Sequence, residues 1–218
     1  MTGAPLTIRG GKKPLLKIDN VSRLSRERIT AIGPLLVKKY ASLLKIGPDQ
    51  LRLKGAERIS GTWYVSYWQT FKGLIIYESS LGFSIDPQGR VVSLGAILYP
   101  KVQVPEKNLI GRERALKTAQ ARIADFKKYE YRLLAESTVI YPERTAGGVT
   151  YYRVYAFNFF PKKALHPASV VGGWAVFVDT QTGKPVLEQT LFKPMGCCVP
   201  ENWTPPKAED VYKGILGN

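Results

Sequence analysis

Apolar positions change their period several times along the chain, and each change marks an element. From Pro34 onward, Leu36, Tyr40, Leu43 and Leu44 fall at i, i+4, i+7 and i+8, the stripe of one helical face. The pattern predicts a helix over 34–46, with Pro34 in its first turn and Gly47-Pro48 as its stop. Ser25 is the N-cap of a preceding turn that runs to Ile32. Over 62–71 the residues are those that favour extended chain, a second such run covers 74–85, and a third covers 90–98. Asp86-Pro87-Gln88-Gly89 is a tight turn between the last two, with Pro setting φ and Gly accepting a positive φ. These three runs predict an antiparallel meander.

The same order then returns. After a Pro-containing linker at 100–108, Leu116, Ala119, Ile123 and Phe126 predict a helix over 111–128. Strands follow at 131–141, 149–160, 171–179 and 184–192, with a loose hairpin loop at 143–148 and an Asp179-to-Gly183 turn before the last. The expectation is an α+β protein with a coarse internal duplication over 34–98 and 111–192. Each half buries one sheet face under its helix and leaves the other face free for a partner. Four segments result: a basic N-terminal arm at 1–33, domains at 34–104 and 105–192, and a Pro/Gly-rich tail at 193–218. Within the arm, Leu6-Thr7-Ile8 and Leu15-Leu16-Lys17-Ile18 each have the makings of an edge strand.

Charge adds a second layer. The net charge of +15 is concentrated in residues 1–60, with thirteen Lys or Arg against four Asp or Glu. A solvated basic face and a surface for an acidic partner or polyanion both fit that excess. No stretch approaches the ~20 apolar residues of a membrane span, and the N-terminus lacks the apolar core of an export signal. The only cysteines, Cys197 and Cys198, are adjacent. They cannot staple distant segments, and a strained vicinal disulfide, a bond to another chain and free thiols all remain open.

A search for chemistry finds little. His166 is the only histidine, and Pro167 beside it marks a surface loop. No His-Glu-x-x-His helix, phosphate loop or local nucleophile–base arrangement is present, so neither metal nor cofactor is expected. Asp86 and Asp179 sit at turns, where local hydrogen bonding is the ordinary role of the side chain. The aromatic run at 63–71 contains no Lys or Arg, which weighs against nucleic-acid binding and for core packing. The expectation is a non-catalytic protein.

Two segments carry a family resemblance. Gln69-Thr70-Phe71-Lys72-Gly73, its following hairpin and Asp86-Pro87-Gln88-Gly89 resemble the core of the fungalysin/thermolysin propeptide domain. The helix from Ala115-Leu116, the strand Tyr152–Phe157 and Trp174-Ala175-Val176-Phe177-Val178-Asp179, closed by Gly183, are similar to a PepSY domain. The two follow in the order found in thermolysin-like metalloprotease propeptides and span 34–192; the basic arm and the tail lie outside the match. The resemblance implies two cystatin-like halves and a role as protease inhibitor or folding chaperone, in a secreted, cell-surface or periplasmic setting. It makes Gln69, Gly73, Asp86, Gly89, Asp179 and Gly183 fold-defining. Lys193, Pro194, Met195, Val199 and Trp203, in the extended tail, are the candidate partner contacts. A structural subunit of an extracellular assembly, joined through the N-terminal arm, is the alternative, and a polyanion-binding module a further one.

Overall fold

The computed structural model describes residues 6–10, 13–19, 25–107, 109–124, 126–162 and 173–191. His166, Cys197, Cys198 and the five tail residues proposed to touch a partner lie outside them. The chain divides into two units, Met1–Gln103 with Pro142–Tyr151, and Val104–Tyr141 with Tyr152–Asn218. Both are α+β.

In the first unit, strands β1 (Leu6–Arg9) and β2 (Leu16–Lys17) precede helices α1 (Arg26–Thr30), α2 (Ile32–Lys39) and α3 (Ala41–Leu44). Strands β3 (Leu51–Ile59), β4 (Thr62–Phe71), β5 (Leu74–Ile75), β6 (Ser80–Ile85) and β7 (Arg90–Ile97) follow. The antiparallel sheet runs β1-β7-β6-β4-β3, with β2 also on β7 and β5 on β4. Ile29, Ile32, Leu36, Val37 and Leu44 from the helices meet Val65, Tyr67, Leu81, Phe83 and Leu94 from the sheet. Burying each such side chain contributes about 1.5–3 kcal/mol, so this contact holds the layers together.

The helical layer departs from the expected single helix over 34–46. It begins at Arg26, with Ser25 Oγ accepting from Arg28 N at 3.4 Å, as its N-cap role requires. It is then broken at Ala31 and Tyr40. Pro34 is the third residue of α2, where it cannot donate to the carbonyl four residues back, that of Thr30. The Tyr67 hydroxyl, reaching across from β4, donates to that carbonyl instead. Gly33 makes the approach feasible, since a Cβ there would lie 2.6 Å from the Tyr67 ring.

The strands depart from the expected pattern at two further places. Strand β3 was not anticipated: Arg52, Lys54, Glu57 and Arg58 hide its alternation because it is an edge strand with little to bury. The run at 74–85 is two strands, separated by a turn in which Glu78 takes φ 57. The two apolar pieces of the arm do add strands, as their makings suggested: β1 and β2 pair with β7, matching Leu6 to Ala96 and Leu16 to Val91.

In the second unit, α4 (Arg112–Arg122) precedes strands β8 (Tyr131–Thr145), β9 (Gly148–Pro161), β10 (Trp174–Asp179) and β11 (Pro185–Thr190), ordered β11-β10-β9-β8. Ala115, Ala119 and Ile123 pack on Phe157, Phe159, Val176 and Val178. The helix ends six residues before the expected 128, at Ile123, which is already extended (φ −90, ψ 113). Phe126 still joins this core from beyond the helix, edge-on to Phe159. The expected loop at 143–148 shrinks to a turn at 146–147, because the strands continue through it. The tip of this hairpin, Pro142–Tyr151, belongs to the first unit.

With β3 included, the units share one plan: helix, then a four-strand meander with an Asp-containing turn before the fourth strand. They differ at the sheet face away from the helix. In β10, Ala175, Val176, Phe177, Val178 and Asp179 are all buried, so both faces are covered. The expectation of a free face therefore fails for the second sheet. It holds for the first.

Candidate functional site

The fold-defining candidates take separate structural places. Gln69 is fully buried; its Nε2 donates to the Tyr99 carbonyl and its Oε1 accepts from the Tyr99 amide, both at 2.8 Å. This pair fastens the segment after β7 to the centre of the sheet. The hairpin tip adds to it, with Arg144 donating to the Tyr99 hydroxyl at 2.7 Å and Tyr151 donating to the Pro100 carbonyl at 3.3 Å. Gly73 (φ +79) follows Lys72 (φ 50) in a two-residue hairpin whose central positions both need positive φ.

Asp86 and Asp179 repeat one device. The Asp86 carboxylate accepts from the amides of Gln88 and Arg90 and from Arg90 Nε, before Gly89 at φ +79. The Asp179 carboxylate accepts from the amides of Gln181 and Thr182 and from the Thr182 hydroxyl, before Gly183 at φ +74. Burial works against the charge of Asp86, but the Arg90 amide and guanidinium outweigh it and hold the carboxyl below the usual aspartate range. Both aspartates are occupied in closing turns.

The surface with room for a ligand lies elsewhere, on the face of the first sheet away from the helices. Strand alternation sends Val65, Tyr67, Leu81, Phe83 and Leu94 inward and their neighbours outward. Register then aligns Thr7, Gly95, Gly82, Ser66 and Gly55 in one row across five strands. The next row holds Arg9, Ser93, Ser84, Tyr64 and Glu57. Gly55, Gly82 and Ser66 make a floor with almost no side chain, in a trough enclosing about 390 Å³, and Gly95 continues the row beyond it. A glycine inside a strand marks a place where another backbone or a ligand comes close.

The rim has its own chemistry. Tyr64 is 51% exposed beside the floor, and Trp68 projects from the same face of β4. Lys54, at the β3 bulge, sets its ammonium 5.6 Å from the Trp68 ring centre. The Ser84 and Ser93 hydroxyls hydrogen-bond each other at 2.7 Å. Glu57 is the charged residue that lines the trough, while Arg9, Arg52 and Lys54 stand on the same face around it and give that face a cationic surround. No group of three His, Cys, Asp or Glu side chains able to hold a metal occurs among the described residues. None of their helices is long and apolar enough to cross a membrane.

No family model matches the chain, and no curated protein does. Among solved structures it is similar to the Bacillus megaterium YpeB C-terminal domain, at 13% identity and a TM-score of 0.39, covering 78% of this chain and 67% of that one. The likeness to thermolysin-like propeptides thus rests on the motifs quoted above. None of the six fold-defining residues lines the trough. Its signal in the sequence was Gly82, a lone glycine inside a run that favours extended chain; Gly55 lies in β3, whose alternation the charged residues hide.

Proposed function

We propose that the protein is a non-catalytic recognition module whose first sheet receives an extended, acidic segment of a protein partner. The observation that carries this reading is the uncovered outer face, with a glycine and serine floor beside exposed aromatic and cationic groups. An extended backbone needs close approach to the floor, and its acidic side chains would find Arg9, Arg52 and Lys54. The net excess of Lys and Arg in residues 1–60 supports an acidic partner.

The finer reading of the partner is a thermolysin-like metalloprotease, bound as an inhibitor or folding chaperone outside the cytoplasm, with the PepSY-like and cystatin-like character of the halves belonging to the same proposal. Its support is the order of the sequence motifs. Assembly into a filament through the arm is the weaker alternative, because β1 would first have to leave its own β7.

The test uses the full chain, a thermolysin-like protease and a set of extended acidic peptides. Saturable binding, with slowed peptide hydrolysis for the protease, is expected. Gly82→Val should abolish it while leaving the fold intact, since a Cβ at Gly82, on the floor of the trough, comes no closer than 3.6 Å to another residue, at the Val65 carbonyl. Peptide binding without protease binding would change the partner. Binding undiminished in Gly82→Val would remove the trough from the function.

A further inference from the structure

Hydrogen-bond donors without acceptors gather where β10 ends and α4 begins. Across β10 and β9, Trp174 faces Phe159, Val176 faces Phe157 and Val178 faces Tyr155, and these residues share the core under α4. Thr180 continues that row, donating its amide to the Arg153 carbonyl at 2.9 Å. Strand alternation therefore turns the side chains of Thr180 and Arg153 toward the face that α4 covers. The Thr180 carbonyl also accepts from Ile110 N at 2.7 Å, which seats the start of the helix beside it.

Thr180 is 1% exposed, and its hydroxyl has no partner; the Nε of Arg153 is equally buried and equally unpaired. The helix itself starts at Gly111 with no side-chain cap, so the amides of Arg112 and Glu113 have no acceptor within it. Arg153 as a whole is part-buried; its Nε–H and the Thr180 hydroxyl are the stranded donors, and a buried donor left unpaired is costly. An oxyanion would accept from both and complement the guanidinium charge.

We propose that Arg153, Thr180 and the first turn of α4 bind an oxyanion. The guanidinium supplies charge and an Nε–H, the hydroxyl one donor, and the helix N-terminus oriented amides. Arg112 and Arg114 add positive charge in that turn, while Arg112 is already engaged by Glu113 and Glu136.

The test is a titration of the labelled full chain with inorganic phosphate and with acetate, against sodium chloride at equal ionic strength. It follows the Arg153 Nε–H and the amides of Arg112, Glu113 and Thr180 by NMR. Saturable shifts at those groups with either oxyanion, and not with chloride, are expected; the stronger of the two names phosphate or carboxylate as the ligand class. Thr180→Val should weaken binding about tenfold, the loss of one hydrogen bond to a charged group, and Arg153→Gln should abolish it. Resonances that stay still, or that move alike in all three salts, would mean that water fills the site and would overturn the proposal. Thr180→Val keeps the test decisive if Arg153→Gln fails to fold.

Discussion

The hydrogen bond from Tyr67 to Thr30 gives a sharp test of how the first unit holds its helices. Pro34 has no N–H for the Thr30 carbonyl, and the Tyr67 hydroxyl is its replacement donor. Tyr67→Phe keeps the ring, its stacking on Phe83 at 6.2 Å and its seat over Gly33, and removes only the donor. A buried acceptor left unpaired costs about 1–3 kcal/mol, and because Thr30 is half-buried the lower part of that range applies, about 1–2 kcal/mol. With a urea m-value of about 2 kcal/mol/M, the midpoint should fall by roughly 0.5–1 M.

Urea unfolding followed by tryptophan fluorescence suits the measurement, because Trp63 and Trp68 lie in β4 of this unit. Pro34→Ala provides the control. It restores an N–H four residues after Thr30, so in the Tyr67→Phe background it should recover part of the loss. The double-mutant cycle should then show a coupling of about 1 kcal/mol between positions 34 and 67. Strict additivity, or a Tyr67→Phe cost below about 0.3 kcal/mol, would refute the account of the helix break.

The same tyrosine predicts alkaline behaviour. Burial pushes its pKa up to about 12 from 10.0, so the unfolded chain releases the proton first. Stability is therefore complete below pH 10 and falls between pH 10 and 12, a fall that urea titrations should find reduced in Tyr67→Phe. At the acid end the sign reverses. The depressed carboxyl of Asp86 contributes stability above its ordinary pKa of 3.8 that is lost as pH drops, and Asp86→Asn should flatten that part of the curve. Gln69→Leu strands both the amide and the carbonyl of Tyr99, and should cost about 3 kcal/mol or more in the same unfolding assay. Gly183→Ala should destabilise the second unit by more than ~1 kcal/mol, since it strains a φ of +74 and brings a Cβ to 3.3 Å from Ile110; circular dichroism melting measures it.

How much of this was legible in the sequence depended on whether a pattern had one cause or two. The Asp86 and Asp179 turns were legible because a carboxylate followed by Gly answers one local demand of the backbone. Strand β4 was legible because its inward residues, Val65 and Tyr67, and its outward aromatics all favour extended chain. Strand β3 was not, since an edge strand guarded by Arg52, Lys54 and Arg58 is chosen for what it avoids pairing with. The helix break was invisible for another reason: Pro34 reads as a helix start unless the donor that replaces its N–H is known, and that donor stands 33 positions away in β4. The trough was half legible. Gly82 and Gly95 stand inside runs that read as strands, but Gly55 lies in the concealed β3, and only the register shows that all three fall in one row with Ser66.

That register bears on why two units built alike need not do the same thing. Each consists of helix and four-strand meander, and each closes its last hairpin with an aspartate. In the second, Ala175 and Phe177 fill the positions of β10 that face away from α4, and they are buried. In the first, Gly82 and Ser84 of β6, the corresponding third strand of the meander, carry no bulk there. Apolar side chains at such positions commit a sheet face to the protein interior, whereas glycine and serine leave it without enough apolar surface to be driven into one. The choice of residue at the outward positions of the third strand therefore separates a unit whose sheet is packed on both sides from one whose sheet keeps a surface for something else. Replacing Gly82 and Ser84 together with alanine and phenylalanine, the β10 pattern, should convert the trough into an exposed apolar patch. Self-association of that variant in analytical ultracentrifugation, with an unchanged fold by circular dichroism, is the expected result. A variant that stays monomeric would show that something other than these two positions keeps the face open.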